Sequence, residues 1–252
     1  MQIEDAHVVV TGAGSGLGAA TARHLAERGA RVSVFDLNGV NASQVASAIG
    51  GHAFHCDVLS DEAGAVLDRA VAAAGPVRGL VNCAGIGPAA RIAGREGPMG
   101  LGDFELVIRV NLIGTFNMMR LVADRMSRQD PDEEGEAGVI VNTASVAAWD
   151  GQVGQAAYAA SKGGIVSLAL PAARELARFG IRVNTIAPGV FRTPLLESLP
   201  QETRDGIAAT IPFPARLGAP AEFAAAVRFC FENRYLNAEV IRLDGGVRLP
   251  PR

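Results

Sequence analysis

Seven short runs rich in β-branched residues recur along the chain: "HVVVTG" from His7, "RVSVFD" from Arg31, "HAFHCDV" from His52, "GLVNCAG" from Gly79, "GVIVNTAS" from Gly138, "IRVNTIAPG" from Ile181 and "EVIRLDGG" from Glu239. Between them lie Ala-rich stretches of helical length, among them residues 17–28, 62–74, 103–126, 155–179 and 221–231. Strands that alternate with helices, and are apolar on both faces, require a parallel sheet covered on each side. The class is therefore α/β. A length of 252 suits one domain spanning residues 1–252, and no proline- or glycine-rich linker divides it. With 49% hydrophobic and 19% charged residues, the chain can bury a large core.

The same composition narrows the function. A net charge of −3 without a basic run gives no call for nucleic acid. The apolar run "IVSLALPAA" is about half a membrane span, so no membrane partner is expected. The start "MQIEDAHVVVTG" lacks the basic and apolar segments of a targeting peptide. Cys56, Cys83 and Cys230 are odd in number and far apart, which fits a reducing, cytoplasmic compartment and no zinc cluster. His52 and His55 fall on opposite sides of a strand, and "SRQDPDEEGEAG" (127–138) reads as a solvated acidic loop without calcium-loop spacing; no metal site is expected.

"VVVTGAGSGLGAATARHLAERGA" reads strand, glycine turn, helix. Gly12, Gly16 and Gly18 stand where backbone must turn sharply and approach a pyrophosphate, whose charge the helix N-terminus receives. The P-loop lysine is missing, which removes a nucleotide triphosphatase. The next strand ends in Asp36, eighteen residues beyond Gly18. A carboxylate there accepts hydrogen bonds from a ribose diol and repels a 2′-phosphate. Ser15 and Asn38 occupy positions where an arginine would serve such a phosphate. The expected cofactor is NAD; the competing reading of Asp36 alone is a turn cap.

Of 23 lysines and arginines, only Lys162 is lysine, and one of two tyrosines, Tyr158, stands four residues before it. At i and i+4 the two project from one helix face. Lysine is a compact point donor where arginine is a flat fork, so a chain that keeps one lysine keeps it for a tight site. Free tyrosine titrates near pH ~10, and a neighbouring ammonium favours its charged form, which makes Tyr158 a workable general base.

"TGAGSGLG", "NCAG" at Asn82–Gly85, Asn111, Ser145, "YAASK" at Tyr158–Lys162 and "PG" at Pro188–Gly189 together resemble the short-chain dehydrogenase/reductase family, in its order and spacing. The resemblance implies a single-domain Rossmann fold: a doubly wound, seven-stranded parallel sheet with helices on both faces. It implies hydride chemistry in which Lys162 also bonds the nicotinamide ribose and Ser145 holds the substrate oxygen. Asn111, inside "FELVIRVNLIGTF", would distort its helix and hold a water leading to the lysine. Ser15 and Leu17 would meet the pyrophosphate, Asp57 and Val58 the adenine, and Phe191 and Thr193 the nicotinamide. Asn82, Cys83, Ala84, Gly85, Pro188 and Gly189 join the cofactor site, with Cys83 beneath the cofactor.

Residues 103–249 resemble more closely a branch of that family acting on 3-hydroxyacyl-CoA thioesters and hydroxysteroids. This implies an NAD-dependent 3-hydroxyacyl-CoA dehydrogenase, with another secondary alcohol or a steroid as the alternative substrate. Gln155 would line the substrate pocket, and the resemblance implies a homotetramer built through the helices at 103–126 and 155–179 and through the C-terminal strand. Residues 86–102 and Arg192 depart from the branch, and there Arg91 and Arg95 offer cations for the phosphates of coenzyme A. Bland readings stay open: a turn serine at Ser145, a satisfied buried asparagine at Asn111, solvated loop arginines, and a cofactor-binding scaffold without turnover. Trp149 and Phe213 are expected to pack the pocket or core.

Overall fold

The computed structural model describes residues 1–95, 97–193, 196 and 200–251. The seven β-branched runs are its sheet strands: β1 (His7–Thr11), β2 (Arg31–Asp36), β3 (His52–His55), β4 (Val77–Asn82), β7 (Gly138–Thr143), β8 (Ile181–Pro188) and β9 (Val240–Leu243). A two-stranded hairpin, β5 (Ala93–Gly94) and β6 (Gly97–Pro98), stands apart between β4 and β7. The sheet order is β3-β2-β1-β4-β7-β8-β9, all parallel. The chain winds outward from β1 to β3, then returns to lay β4 on the other side of β1. A crevice opens at the carboxyl ends of the strands where the winding reverses.

Both faces of the sheet are covered. Alternate side chains point to opposite faces, so Val8 and Val10 pack with Leu25, Val34, Phe223 and Phe231, whereas Val9 packs with Leu67, Leu80, Met118 and Ile140. The first layer is built from α1 (Gly16–Ala26), α2 (Gly39–Ile49) and, from the other end of the chain, Pro220–Glu232. The second is built from α3 (Ala63–Ala74) and a long helical rod of α4 (Leu101–Ile108), a π-helical turn (Arg109–Ile113) and α5 (Gly114–Met126). By length and hydropathy 101–126 could cross a bilayer, but half of its most apolar window is buried inside the protein. Short α6 (Ala147–Asp150) precedes α7 (Ala156–Leu176), which approaches the rod closely: a Cβ at Gly164 would stand 2.7 Å from Leu112. α8 (Gln201–Ala209) lies over the crevice, and α9 is the Pro220–Glu232 helix.

The structure corrects several expectations. α2 and α8 are helices the apolar pattern does not announce. The acidic segment is not merely solvated: Asp132 pairs with Arg234 at 2.8 Å, and buried Glu136 accepts from Arg182 at 2.6 Å. Arg182 also donates to the carbonyls of Cys230, Phe231, Asn233 and Leu236, tying β8 to the end of α9. Trp149 is half exposed beneath the Arg242 guanidinium, and Phe213 is 83% exposed.

Candidate active site

The turn after β1 is shaped by what a side chain would strike. Gly12 sits at φ 61°, and a Cβ there would lie 2.7 Å from the backbone of Ala84. A Cβ at Gly18 would stand 2.2 Å from the Gly12 carbonyl. Thr11, absent from the expected set although it sits in the "TG" pair, fastens this approach. Its Oγ1 donates to Asn82 Oδ1 at 3.3 Å and accepts from the amides of Cys83 and Ala84 at 3.2 and 3.3 Å. Ser15 is the extended N-cap of α1, yet its side chain caps nothing. The first-turn amides of α1 therefore meet the crevice without a side-chain partner, as an anion requires.

The crevice is a cleft of about 1240 Å³ lined by Gly12, Ser15, Gly16, Leu17, Gly18, Asp36, Asp57, Val58, Cys83, Ala84, Gly85, Ser145, Gln155, Tyr158, Lys162, Pro188, Gly189, Phe191 and Thr193. Asn82 and Asn111 are the two expected site residues that lie behind this wall. Asn82 is buried and bonds Asn142 Oδ1 at 3.0 Å and Thr11, so it laces β1, β4 and β7 together. Its side chain therefore supports the wall from behind rather than lining it.

Asp36 carries both of its readings. Oδ2 accepts from the Gly14 amide and Oδ1 from the Asn38 amide, each at 2.8 Å, so it caps the turn; it also faces the cleft, where each oxygen keeps acceptor capacity for a ribose hydroxyl. Asn38 spends its side chain on the amides of Val40 and Asn41 at the start of α2. Cys83 is wall rather than nucleophile: burial pushes its thiol up to about 11, opposed by Thr143 and Lys162, which leaves no thiolate near neutrality.

Tyr158 and Lys162 come from the third and seventh positions of α7. Lys162 is buried, donates to the Thr143 carbonyl at 2.8 Å, and holds Nζ 5.6 Å from the centre of the Tyr158 ring. The Gly85 backbone runs close by: a Cβ there would meet Nζ at an ordinary contact distance of 3.8 Å. Ser145 follows β7; its Oγ accepts from the Ala147 amide at 3.1 Å, which leaves the hydroxyl proton free to donate into the cleft. Ser145 thus makes a turn bond and also faces the cleft.

Asn111 stands at the centre of the π turn, so the expected helix distortion is present. Its amide grips the main chain of Ile86 at both ends, accepting at 2.8 Å and donating at 2.9 Å, and also donates to Ser161 Oγ at 3.0 Å. Ser161 in turn donates to the Tyr158 carbonyl at 2.7 Å. This chain fixes α7 against the loop after β4. The side chain of Asn111 is thus engaged with protein rather than presented to solvent.

The cover of the cleft is not among the features expected from the sequence. Thr203, Gly206 and Ile207 of α8 and Thr210 at its C-cap line it, at the i, i+3, i+4, i+7 spacing of a helix face. The face is too small and polar to signal itself as apolar. Leu249 and Pro250 close one wall, anchored by Gln152 Nε2 on the Pro250 carbonyl and the Val153 amide on that of Pro251, both at 3.0 Å. Gln155 lines this corner with Oε1 accepting from the Gln152 amide. Trp149, Phe213, Arg91 and Arg95 are not on the wall; the two arginines are exposed at the hairpin.

Comparison with known proteins returns a consistent likeness. The family model described as "short chain dehydrogenase" matches residues 6–204. The 3-hydroxyacyl-CoA dehydrogenase type-2 of Rattus norvegicus is 50% identical over 248 residues, 96% of this chain and 95% of the relative. The crystal structure of 3-hydroxyacyl-CoA dehydrogenase type-2 from Mycobacterium avium superposes with a TM-score of 0.96 at 43% identity, covering 100% of this chain and 99% of that one. A 7α-hydroxysteroid dehydrogenase, solved with NADH and 7-oxoglycochenodeoxycholic acid, gives a TM-score of 0.87 at 31% identity over 100% and 97% of the two chains.

Proposed function

The chain belongs to the short-chain dehydrogenase family, and on that premise we propose that it is an NAD-dependent dehydrogenase interconverting 3-hydroxyacyl-CoA and 3-ketoacyl-CoA. The observation that carries this reading is one cleft lined both by Ser145, Tyr158 and Lys162 and by the glycine turn with Asp36. Half-identity to a 3-hydroxyacyl-CoA dehydrogenase type-2 along nearly the full chain supplies the substrate class.

The residues present fit NAD. Side chains at Gly12 and Gly18 would fill the cradle, the α1 amides suit a pyrophosphate, and Asp36 suits an unphosphorylated ribose. Bound there, NAD supplies the hydride acceptor. Ser145 donates its free proton to the substrate oxygen and holds it toward Tyr158. Tyr158 takes the hydroxyl proton as the carbinol C–H bond breaks and the C=O bond forms, so each turnover yields one ketone, one proton and one transferred hydride. Lys162, held by the Thr143 carbonyl, sets its positive charge beside the ring, where it favours the charged form that takes the proton. In the reverse direction Tyr158 returns the proton. Asn111 supports α7 from behind through Ser161.

A hydroxysteroid is the second reading, favoured by the likeness to 7α-hydroxysteroid dehydrogenase. NADH oxidation followed at 340 nm against acetoacetyl-CoA and a panel of steroid ketones separates the two. Faster turnover per KM of acetoacetyl-CoA is the expected result; steroid-only turnover overturns the acyl-CoA assignment, and no turnover of either returns the chain to a binding scaffold.

The reading extends to a cytoplasmic homotetramer. Widely spaced free cysteines suit a reducing compartment. Exposed Leu106, Ile113 and Phe116 on the 101–126 rod and Leu170 on α7 offer apolar surface for copies of the chain. A fourfold mass by light scattering at micromolar protein is expected, and a monomer mass removes this extension.

A further inference from the structure

Asp57 and Val58, which the family resemblance assigns to the adenine, line the cleft from a turn between β3 and α3. This turn has few bonds of its own. Asp57 Oδ1 accepts from the Leu59 amide at 2.9 Å and its carbonyl from the Ser60 amide at 3.0 Å. The Val58 carbonyl finds its partner 59 residues away, in Nδ2 of Asn117 on α5, at 2.7 Å.

Asn117 is buried, and its orientation is forced. Arginine has only donors, so the Arg120 Nε–H that reaches the amide at 2.9 Å must meet Oδ1, and this aims Nδ2 at Val58. One turn earlier, Gly114 is cut to fit the same residue: a Cβ there would lie 2.6 Å from Val58 Cγ2. Asn117 does not line the cleft. Its bond and the gap at Gly114 both bear on Val58 alone.

We propose that Asn117 is a positioning residue for the adenine half of the cofactor, clamping the Val58 carbonyl so that the 57–58 turn keeps its shape against the base. The proposal rests on the reading that NAD fills this cleft with its adenine at Asp57 and Val58. Losing the clamp costs adenylate affinity and leaves the reacting end untouched, because Ser145, Tyr158 and Lys162 stand on other elements.

The test uses the full chain with saturating acyl-CoA substrate and compares two cofactor fragments as competitive inhibitors. In Asn117→Leu, the KM for NAD and the inhibition constant of ADP-ribose should rise together, about fivefold, as one lost buried hydrogen bond warrants. The kcat at saturating NAD should stay within twofold of the parent, with inhibition by nicotinamide mononucleotide unchanged. Gly114→Ala, which presses Val58 from the other contact, should give the same ADP-ribose-selective loss and serves if Asn117→Leu does not fold. An unchanged ADP-ribose constant, or equal weakening of both fragments, overturns the clamp while leaving the NAD reading intact. Failure of ADP-ribose to compete in the parent enzyme overturns both.

Discussion

His7 opens β1 and is fully buried, with Nδ1 2.6 Å from the Gly75 carbonyl and Nε2 2.8 Å from Ser33 Oγ. The carbonyl can only accept, so Nδ1 carries the proton and neutral Nε2 accepts from the serine. Burial lowers the imidazole from 6.5 to about 4, with Arg31 and His52 adding to the fall and the Gly75 bond opposing it. Between those two values the unfolded chain binds a proton that the folded chain refuses, so stability is complete above pH ~6.5 and declines as pH falls toward ~4. At pH 5 the two pKa values give a loss of about 2 kcal/mol, and a chain of this size loses roughly 2–4 °C of Tm per kcal/mol. Parent and His7→Asn are melted without ligand at pH 7.5 and pH 5, at equal protein concentration. Asparagine can still donate toward Gly75 but does not titrate. The variant should melt lower at pH 7.5, yet its further drop on moving to pH 5 should be smaller than the parent's by about 4–8 °C. Comparing drops cancels His24, whose pKa burial also lowers, and every carboxylate. Equal drops in parent and variant would refute the assignment of this pH dependence to His7.

Asp36 should give kcat/KM for NAD at least about tenfold above that for NADP at equal ionic strength, since ribose hydrogen bonds to a carboxylate exceed ~1.4 kcal/mol; parity refutes it. Lys162→Arg should lose at least about 100-fold in kcat despite keeping its charge, because the fork misplaces the donor now aimed at Thr143; near-normal turnover shows that the site does not require a point donor. Replacing Arg91 and Arg95 with alanine should raise KM for acetoacetyl-CoA several-fold, an effect weakened by salt, while KM for a steroid ketone stays put; equal effects on both substrates remove the pair from coenzyme A recognition.

The seven strands were legible because each is a short β-branched run, and most site residues were legible because they crowd the strand ends, where local motifs survive. What escaped depended on distant partners. α2, "GVNASQVASAI", has few strong helix formers and is held by the Asn38 cap and by burial of Ala42, Val45 and Ala46. The partners of Asp132 and Glu136, Arg234 and Arg182, come from segments far along the chain, so an acidic loop could not announce itself as half of an ion-pair cluster. Trp149 carries the hydrophobicity of a core residue, but Arg242 from β9 stacks on it near the surface. Asn82 belongs to a motif that pointed to the cofactor; only the sheet order shows that its amide is spent between strands.

α8 covers the cleft without a single buried residue of its own. Its hold is peripheral, through half-buried Ile207 on the small cluster of Ile211, Leu217 and Val247. The free energy needed to lift it is therefore a small part of that needed to unfold the sheet, and its amides should exchange with deuterium by local opening while those of β7 and β8 wait for global unfolding. Filling the cleft should slow α8 selectively. If product release requires α8 to lift, turnover inherits the timescale of that motion, on the order of microseconds to milliseconds, whenever the proton and hydride steps beneath it are faster.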